Sequence, residues 1–214
     1  MAIAFNKTNG SAKKGGAKYY EYKMGDNKVR IFGEVLPRYI YWVSGTNGKN
    51  VPFECLAFNR DTETFDKAER DYVQEMYPDL RCSWSYAVKC IQDGEVKIMS
   101  LKKKLFEQIL TAAEDLGDPT DLETGYDICF KKVKTGSMAY NVEYQFQPLK
   151  CKPSPVTDEE RKLIEESKPI DELLPRESAE DQKKRLDKLM SMVDGEEEKE
   201  EEVDSEIADE FDVE

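Results

Sequence analysis

From Lys28 onward, apolar residues fall on alternate positions in short runs broken by turn residues, the signature of β-strands with one face on a core. KVRIFGEV (28 to 35) sets Val29, Ile31 and Val35 against Arg30, Phe32 and Glu34. RYIYWVS follows, and GTNGKN turns into VPFECLAF (51 to 58), which completes a meander. NRDTETFDKAERDYVQEMYPDL reads as a charged helix from about Phe65 to Met76, placed before the strand RCSWSYAVKCI (81 to 91). QDGE joins that strand to VKIMS. In LKKKLFEQILTAAEDLG the period changes to helical, with Leu101, Leu105, Ile109, Ala112, Ala113 and Leu116 on one stripe, Ser100 as the cap and Gly117 as the stop. GYDICFKKVKTGSMAYNVEYQF alternates about KTGS as a hairpin.

Beyond KCKPSP, TDEERKLIEES and SAEDQKKRLDKLMSMV carry helix-start signals at Thr157 with Glu160 and at Ser178 with Asp181. Their apolar stripes are narrow, so marginal helices, docked loosely or formed only with a partner, are expected. The organisation predicted is a flexible basic arm (1 to 18), a strand-rich domain (19 to 152), a charged helical appendage (153 to 193) and a disordered acidic tail (194 to 214). Several short strands with a helix between the middle strand and the last hairpin give the element order of an OB-type Greek-key barrel; a sandwich or an α+β sheet fits nearly as well.

Charge sharpens this division. Residues 1 to 152 hold 23 basic and 21 acidic side chains, whereas 153 to 214 hold 9 and 24, so the formal charge of -13 belongs to the C-terminal part. A basic-leaning body joined to an acidic tail fits an anionic ligand that the tail can imitate. The opposed reading is an acidic DNA mimic or adaptor acting through protein contacts.

Candidate chemistry is of the binding kind. The chain has no histidine, and its five cysteines are widely spaced without a C-x-x-C pair, which argues for reduced thiols and against a zinc site, another metal or cofactor, or a histidine-based catalyst. No catalytic motif falls among the strands, so an enzyme is not expected. Neither a membrane-spanning run nor a secretion signal is present, which points to the cell interior. Aromatic and cationic residues, by contrast, lie close together: Arg30 by Phe32; Arg38, Tyr39 and Tyr41; Arg81, Trp84 and Lys89; Lys131, Lys132, Lys134 and Tyr140. Unpaired bases stack on aromatic faces while Lys and Arg neutralise phosphates, so this combination suits single-stranded nucleic acid. On period alone Trp84 and Tyr86 fall on the core side, as do Tyr144 and Phe146, and Tyr140 near the hairpin tip is the better stacking platform.

The runs YYEYKMGDNKVRIFGEV, RYIYWV, CSWSYAVKCIQDGEVKIMSLKKKLFEQIL and GYDICFKKVKTGSMAYNVEYQFQPL resemble the core of tailed-phage single-stranded-DNA-binding proteins, the helix-destabilising proteins of the T-even type and their smaller relatives. The resemblance covers about residues 19 to 150. It implies an OB-fold whose cleft holds single-stranded DNA, with Arg30, Trp84, Lys131, Lys132, Lys134 and Tyr140 at matching positions. It also implies protection of single-stranded DNA during phage replication, recombination and repair in the cytoplasm of the infected host, with self-association on DNA a further expectation. The T-even members hold zinc in an inserted His and Cys module; here the insert at about 59 to 80 has neither residue, so no metal is carried over. The acidic tail of such proteins competes with DNA and recruits replication and recombination proteins, a role that would fall to Asp209, Glu210, Phe211 and Asp212.

Overall fold

The computed structural model describes residues 17–45, 50–138 and 141–191. Two sheets dominate. Strands β1 (Gly25–Leu36), β2 (Tyr39–Ser44), β3 (Asn50–Glu54), β4 (Phe58–Asn59), β5 (Thr64–Phe65), β6 (Ser83–Trp84), β7 (Ala87–Gln92), β8 (Glu95–Ser100), β9 (Ile128–Lys134) and β10 (Val142–Phe146) are joined by helices α1 (Tyr72–Met76), α2 (Lys103–Leu116), α3 (Asp158–Glu166), α4 (Ile170–Leu173) and α5 (Ala179–Ser191). The larger sheet has the order β10-β9-β1-β7-β8, antiparallel throughout. Counting only its own strands, that is fifth, fourth, first, second, third, with α2 between third and fourth. This is the OB-type Greek-key order, and the protein is mainly β as its sequence predicts.

One strand makes the curvature possible. β1 pairs with β9 over Gly25 to Val29 and with β7 from Arg30 onward, and its register shifts between Phe32 and Val35. Gly33 sits at the shift with φ +73°, a conformation costly for a side chain, and its missing Cβ leaves room for Lys89, whose Cε would lie 3.3 Å away. Inside the bend Val29, Ile31, Val88, Cys90, Met99, Ile128 and Phe130 form the barrel core, and Leu105 and Ile109 of α2 close it. The two outer strands are bridged by Tyr22, whose hydroxyl donates to the Ser100 carbonyl at 2.6 Å while its ring meets Tyr144 edge-on at 5.1 Å.

Between β1 and β7 lies an insertion built on the sheet β3-β2-β6. Its separate core contains Tyr41, Val43, Phe53, Cys55, Phe58 and Val73, together with Leu186 and Leu189 of α5. The C-terminal helices are therefore part of the fold, contrary to the expectation of loosely docked appendages. Leu186 is fully buried, and the side-chain amide of Gln182, also fully buried, donates to the Glu54 carbonyl at 2.9 Å and accepts from the Tyr72 amide at 2.8 Å. A short apolar stripe underrates a helix whose anchoring residue is an amide.

Other local expectations shift. The helix expected from Phe65 begins at Tyr72, because Asn59 accepts from the Asp61 and Thr62 amides and turns the chain into the β4–β5 hairpin. Buried Asp71 then caps α1 through the Val73 and Gln74 amides. The strand 81 to 91 is interrupted at Ser85 and Tyr86, where the chain passes from one sheet to the other. Ser100 ends β8 rather than capping α2, whereas Gly117 does stop that helix at φ +84°.

Candidate nucleic-acid interface

At the junction of the two sheets the backbone of the break is held from both sides. The Ser85 amide donates to the Arg38 carbonyl at 2.9 Å and the Leu101 amide to the Tyr86 carbonyl at 2.7 Å. Trp84 and Tyr86 are thereby set side by side, their rings stacked at 4.3 Å and 15°, with Phe106 of α2 within 5.7 and 5.9 Å. These half-buried rings, with Val35, Pro37 and Leu110, line a cleft of about 460 Å³. Lys103 stands on its wall, as do Glu63 and Glu107. Tyr86 donates a short hydrogen bond to Glu63, and burial followed by that carboxylate raises the phenol's pKa, so the hydroxyl stays protonated.

A second aromatic group follows on the other flank of the same core. Tyr22, Phe130 and Tyr144 pack together, the Lys102 ammonium lies 5.4 Å from the Tyr22 ring centre, and the Lys132 ammonium lies 5.7 Å from that of Tyr144. The alternation of β9 that buries Ile128 and Phe130 places Lys132 and Lys134 on the same side further along the strand. Lys131, Lys134 and Arg81 are exposed.

The sequence-predicted residues thus separate into groups. Trp84, Lys132 and Lys134 are brought to the rim of the barrel. Tyr39 is half-buried between Phe58 and Phe65, with ring centres 4.8 and 4.9 Å away. Tyr41 belongs to the second core, 3% exposed, with its hydroxyl accepting from Cys55 Sγ at 3.3 Å; it shares a face of β2 with Val43, so its ring is not a platform. Arg30 is 5% exposed: Nε donates to Asp127 at 2.7 Å and Nη2 to the Ser154 carbonyl and hydroxyl at 2.9 and 2.8 Å. Burial raises the Asp127 pKa, but hydrogen bonds from Arg30 and Lys28 outweigh it and hold the carboxyl below its ordinary range. Lys89 is also covered, donating to Ser167 Oγ at 3.0 Å and the Lys168 carbonyl at 3.1 Å, and burial lowers its pKa. Tyr140, the tail residues Asp209, Glu210, Phe211 and Asp212, and the basic arm up to residue 16 lie outside the described residues.

Tyr22, Lys102 and Phe106 were not singled out from sequence. Phe106 left a signal, being a large apolar residue beside but outside the Leu101, Leu105, Ile109 stripe; Tyr22 left none, since it precedes β1 and has no periodic element to belong to. Among the described residues no group of three or more His, Cys, Asp or Glu is placed to hold a metal ion, and no helix is long and apolar enough to cross a membrane.

The rim sets stacked rings beside lysines on an OB-type barrel. No family model matches the chain. A curated protein of Escherichia phage T5, described as "Probable ssDNA-binding protein", is 29% identical over 163 residues, 70% of this chain. The chain spans 61% of that relative's length. The resemblance to phage single-stranded-DNA-binding proteins thus has a curated relative behind it.

Proposed function

We propose that the protein binds single-stranded DNA with little sequence preference, in the manner named for its T5 relative. The observation that supports this most is the parallel Trp84–Tyr86 pair with Phe106 at the barrel rim, followed by Tyr22 and Tyr144 among Lys102, Lys132 and Lys134. Ring faces accept any base, and lysines in water follow a phosphate backbone without reading sequence. Glu63 and Glu107 on the cleft wall disfavour phosphate close to the rings, so the bases enter the cleft and the backbone runs along the lysine side. Binding is the whole of the activity, with no catalytic step. In the cell this serves protection of single strands during phage replication, recombination and repair in the host cytoplasm. The acidic residues beyond 194 compete with DNA and, through Asp209, Glu210, Phe211 and Asp212, dock replication and recombination proteins.

The two tryptophans provide the test. In Trp42→Phe, with Trp84 as the only remaining indole, addition of poly(dT) should quench fluorescence saturably, and affinity should fall steeply with salt. A duplex of equal length should compete poorly. Equal binding of duplex would overturn the single-strand reading, and no binding at low salt would favour the acidic adaptor instead.

A further inference from the structure

The aromatic cleft is edged by carboxylates that its rings do not need for packing. Glu63 reaches it from the β4–β5 turn and Glu107 from α2, where Lys103 stands one turn earlier. Glu63 is held there against its backbone preference. Its φ is +51°, a left-handed conformation that glycine or asparagine adopts more readily than glutamate. Asn59, accepting from the Asp61 and Thr62 amides, fixes the turn, and the short hydrogen bond from the Tyr86 hydroxyl fixes the carboxylate. That bond uses Oε2, and among the described residues nothing else engages the side chain by hydrogen bond or ion pair. The Glu107 carboxylate has neither kind of partner among the described residues, Lys103 included.

A base laid on the Trp84–Tyr86 pair turns its rim of donors and acceptors to this wall. Two carboxylates and one ammonium meet it there, so an edge that carries an amino group is matched and an edge of carbonyls is not. Cytosine, adenine and guanine each have an exocyclic amino group able to donate to a carboxylate. Thymine has none, and its ring N–H lies between two carbonyl oxygens that a carboxylate repels. Resting on the reading of single-stranded DNA as ligand, we infer that Glu107, with Glu63, is a specificity-determining residue: the cleft selects a base bearing an exocyclic amino group over thymine. The rest of the strand, held by ring faces and lysines, stays unread, so the preference belongs to a single position. Glu63 also holds the Tyr86 hydroxyl, which makes Glu107 the cleaner of the two to change.

Anisotropy titrations of the full-length protein with short labelled oligonucleotides test this, at low salt and slightly alkaline pH, where cytosine is neutral. Cytosine is walked through each position of a dT strand, since the two pyrimidines are alike in size and differ at this edge. The best-placed cytosine should tighten binding about fivefold over the all-dT strand. That is the low end of what a base-edge contact contributes, as both carboxylates reach solvent. N4,N4-dimethylcytosine at the same position keeps the ring and removes the donors, and it should lose the gain. Glu107→Gln, whose amide also offers N–H to thymine carbonyls, should bind both strands with a ratio near one. Equal affinity of the parent for all these strands would overturn the inference and leave the functional reading intact. So would a Glu107→Gln that strengthens both strands by the same factor, since the carboxylate would then act on phosphate alone. Binding of no strand at all would overturn both.

Discussion

Arg30 and Asp127 show how a single pair can decide whether a cation serves the ligand or the fold. The guanidinium is nearly without solvent and its carboxylate partner is only partly covered, so the desolvation cost is offset by charged hydrogen bonds in good geometry. Asp127→Asn should lower stability by roughly 3 kcal/mol, at the low end for breaking a buried pair because Ser154 still holds Arg30. Its acid limb should change as well. The Asp127 pKa is depressed in the folded protein, so its stabilisation is fully present above the unfolded value of about 3.9 and is lost as pH falls through the folded value. Urea titrations between pH 3 and 7 should show a shallower acid loss for the variant than for the parent, and parallel curves would remove Asp127 from the account. The sequence could not separate Arg30 from a ligand-binding arginine. Alternation along β1 gives it the face opposite Val29 and Ile31, but period says only that this face is not the barrel core; a face covered by a distant segment reads the same as one in water.

At the level of elements the barrel was legible and the docking of α5 was not. The strands, α2 and the β9–β10 hairpin follow from periods of two and 3.6 because each buries one face on a neighbour close in sequence or in the same sheet. The β7–β8 turn is of the same kind: Asp93 and Gly94 both take positive φ, as a two-residue hairpin requires. For α5 the partner lies more than a hundred residues earlier, and the anchoring side chain is Gln182, which a hydrophobic pattern counts as surface. Leu186→Ala should cost about 2–5 kcal/mol, as large-to-small changes at filled core sites do. Gln182→Ala should cost about 1–3 kcal/mol by stranding the Tyr72 amide and Glu54 carbonyl. Thermal melts should show both losses; if each variant melted with the parent, α5 would be a surface helix after all. Chains ending near residue 152 should accordingly fail to fold normally, since the second core would lose Leu186 and Leu189.

Across the whole molecule the distribution of charge is what the proposed competition between the acidic residues and DNA rests on. The aromatic rim carries Lys102, Lys103, Lys132 and Lys134, whereas 194 to 214 holds thirteen acidic residues and Lys199. A tethered anion of this density competes with phosphates wherever it can reach the same cations, and more strongly when few salt ions screen it, the screening length being about 10 Å at 0.1 M and about 30 Å at 0.01 M. Deletion of 194 to 214 should therefore raise affinity for single-stranded DNA, by a large factor at low salt and by little above a few tenths molar. It should leave the melting temperature unchanged, because Leu186, Leu189 and Gln182, which complete the insertion, all precede the cut. Phe211→Ala removes the largest apolar side chain of the segment and no charge, so it should bind DNA with the parent's salt dependence and weaken only the capture of partner proteins. Oligonucleotide titrations of the three proteins over a salt series separate these effects. Superimposed curves for parent and deletion at every salt concentration would mean that the acidic residues never reach the DNA surface, and their electrostatic role would have to be abandoned even if partner docking through Phe211 survived.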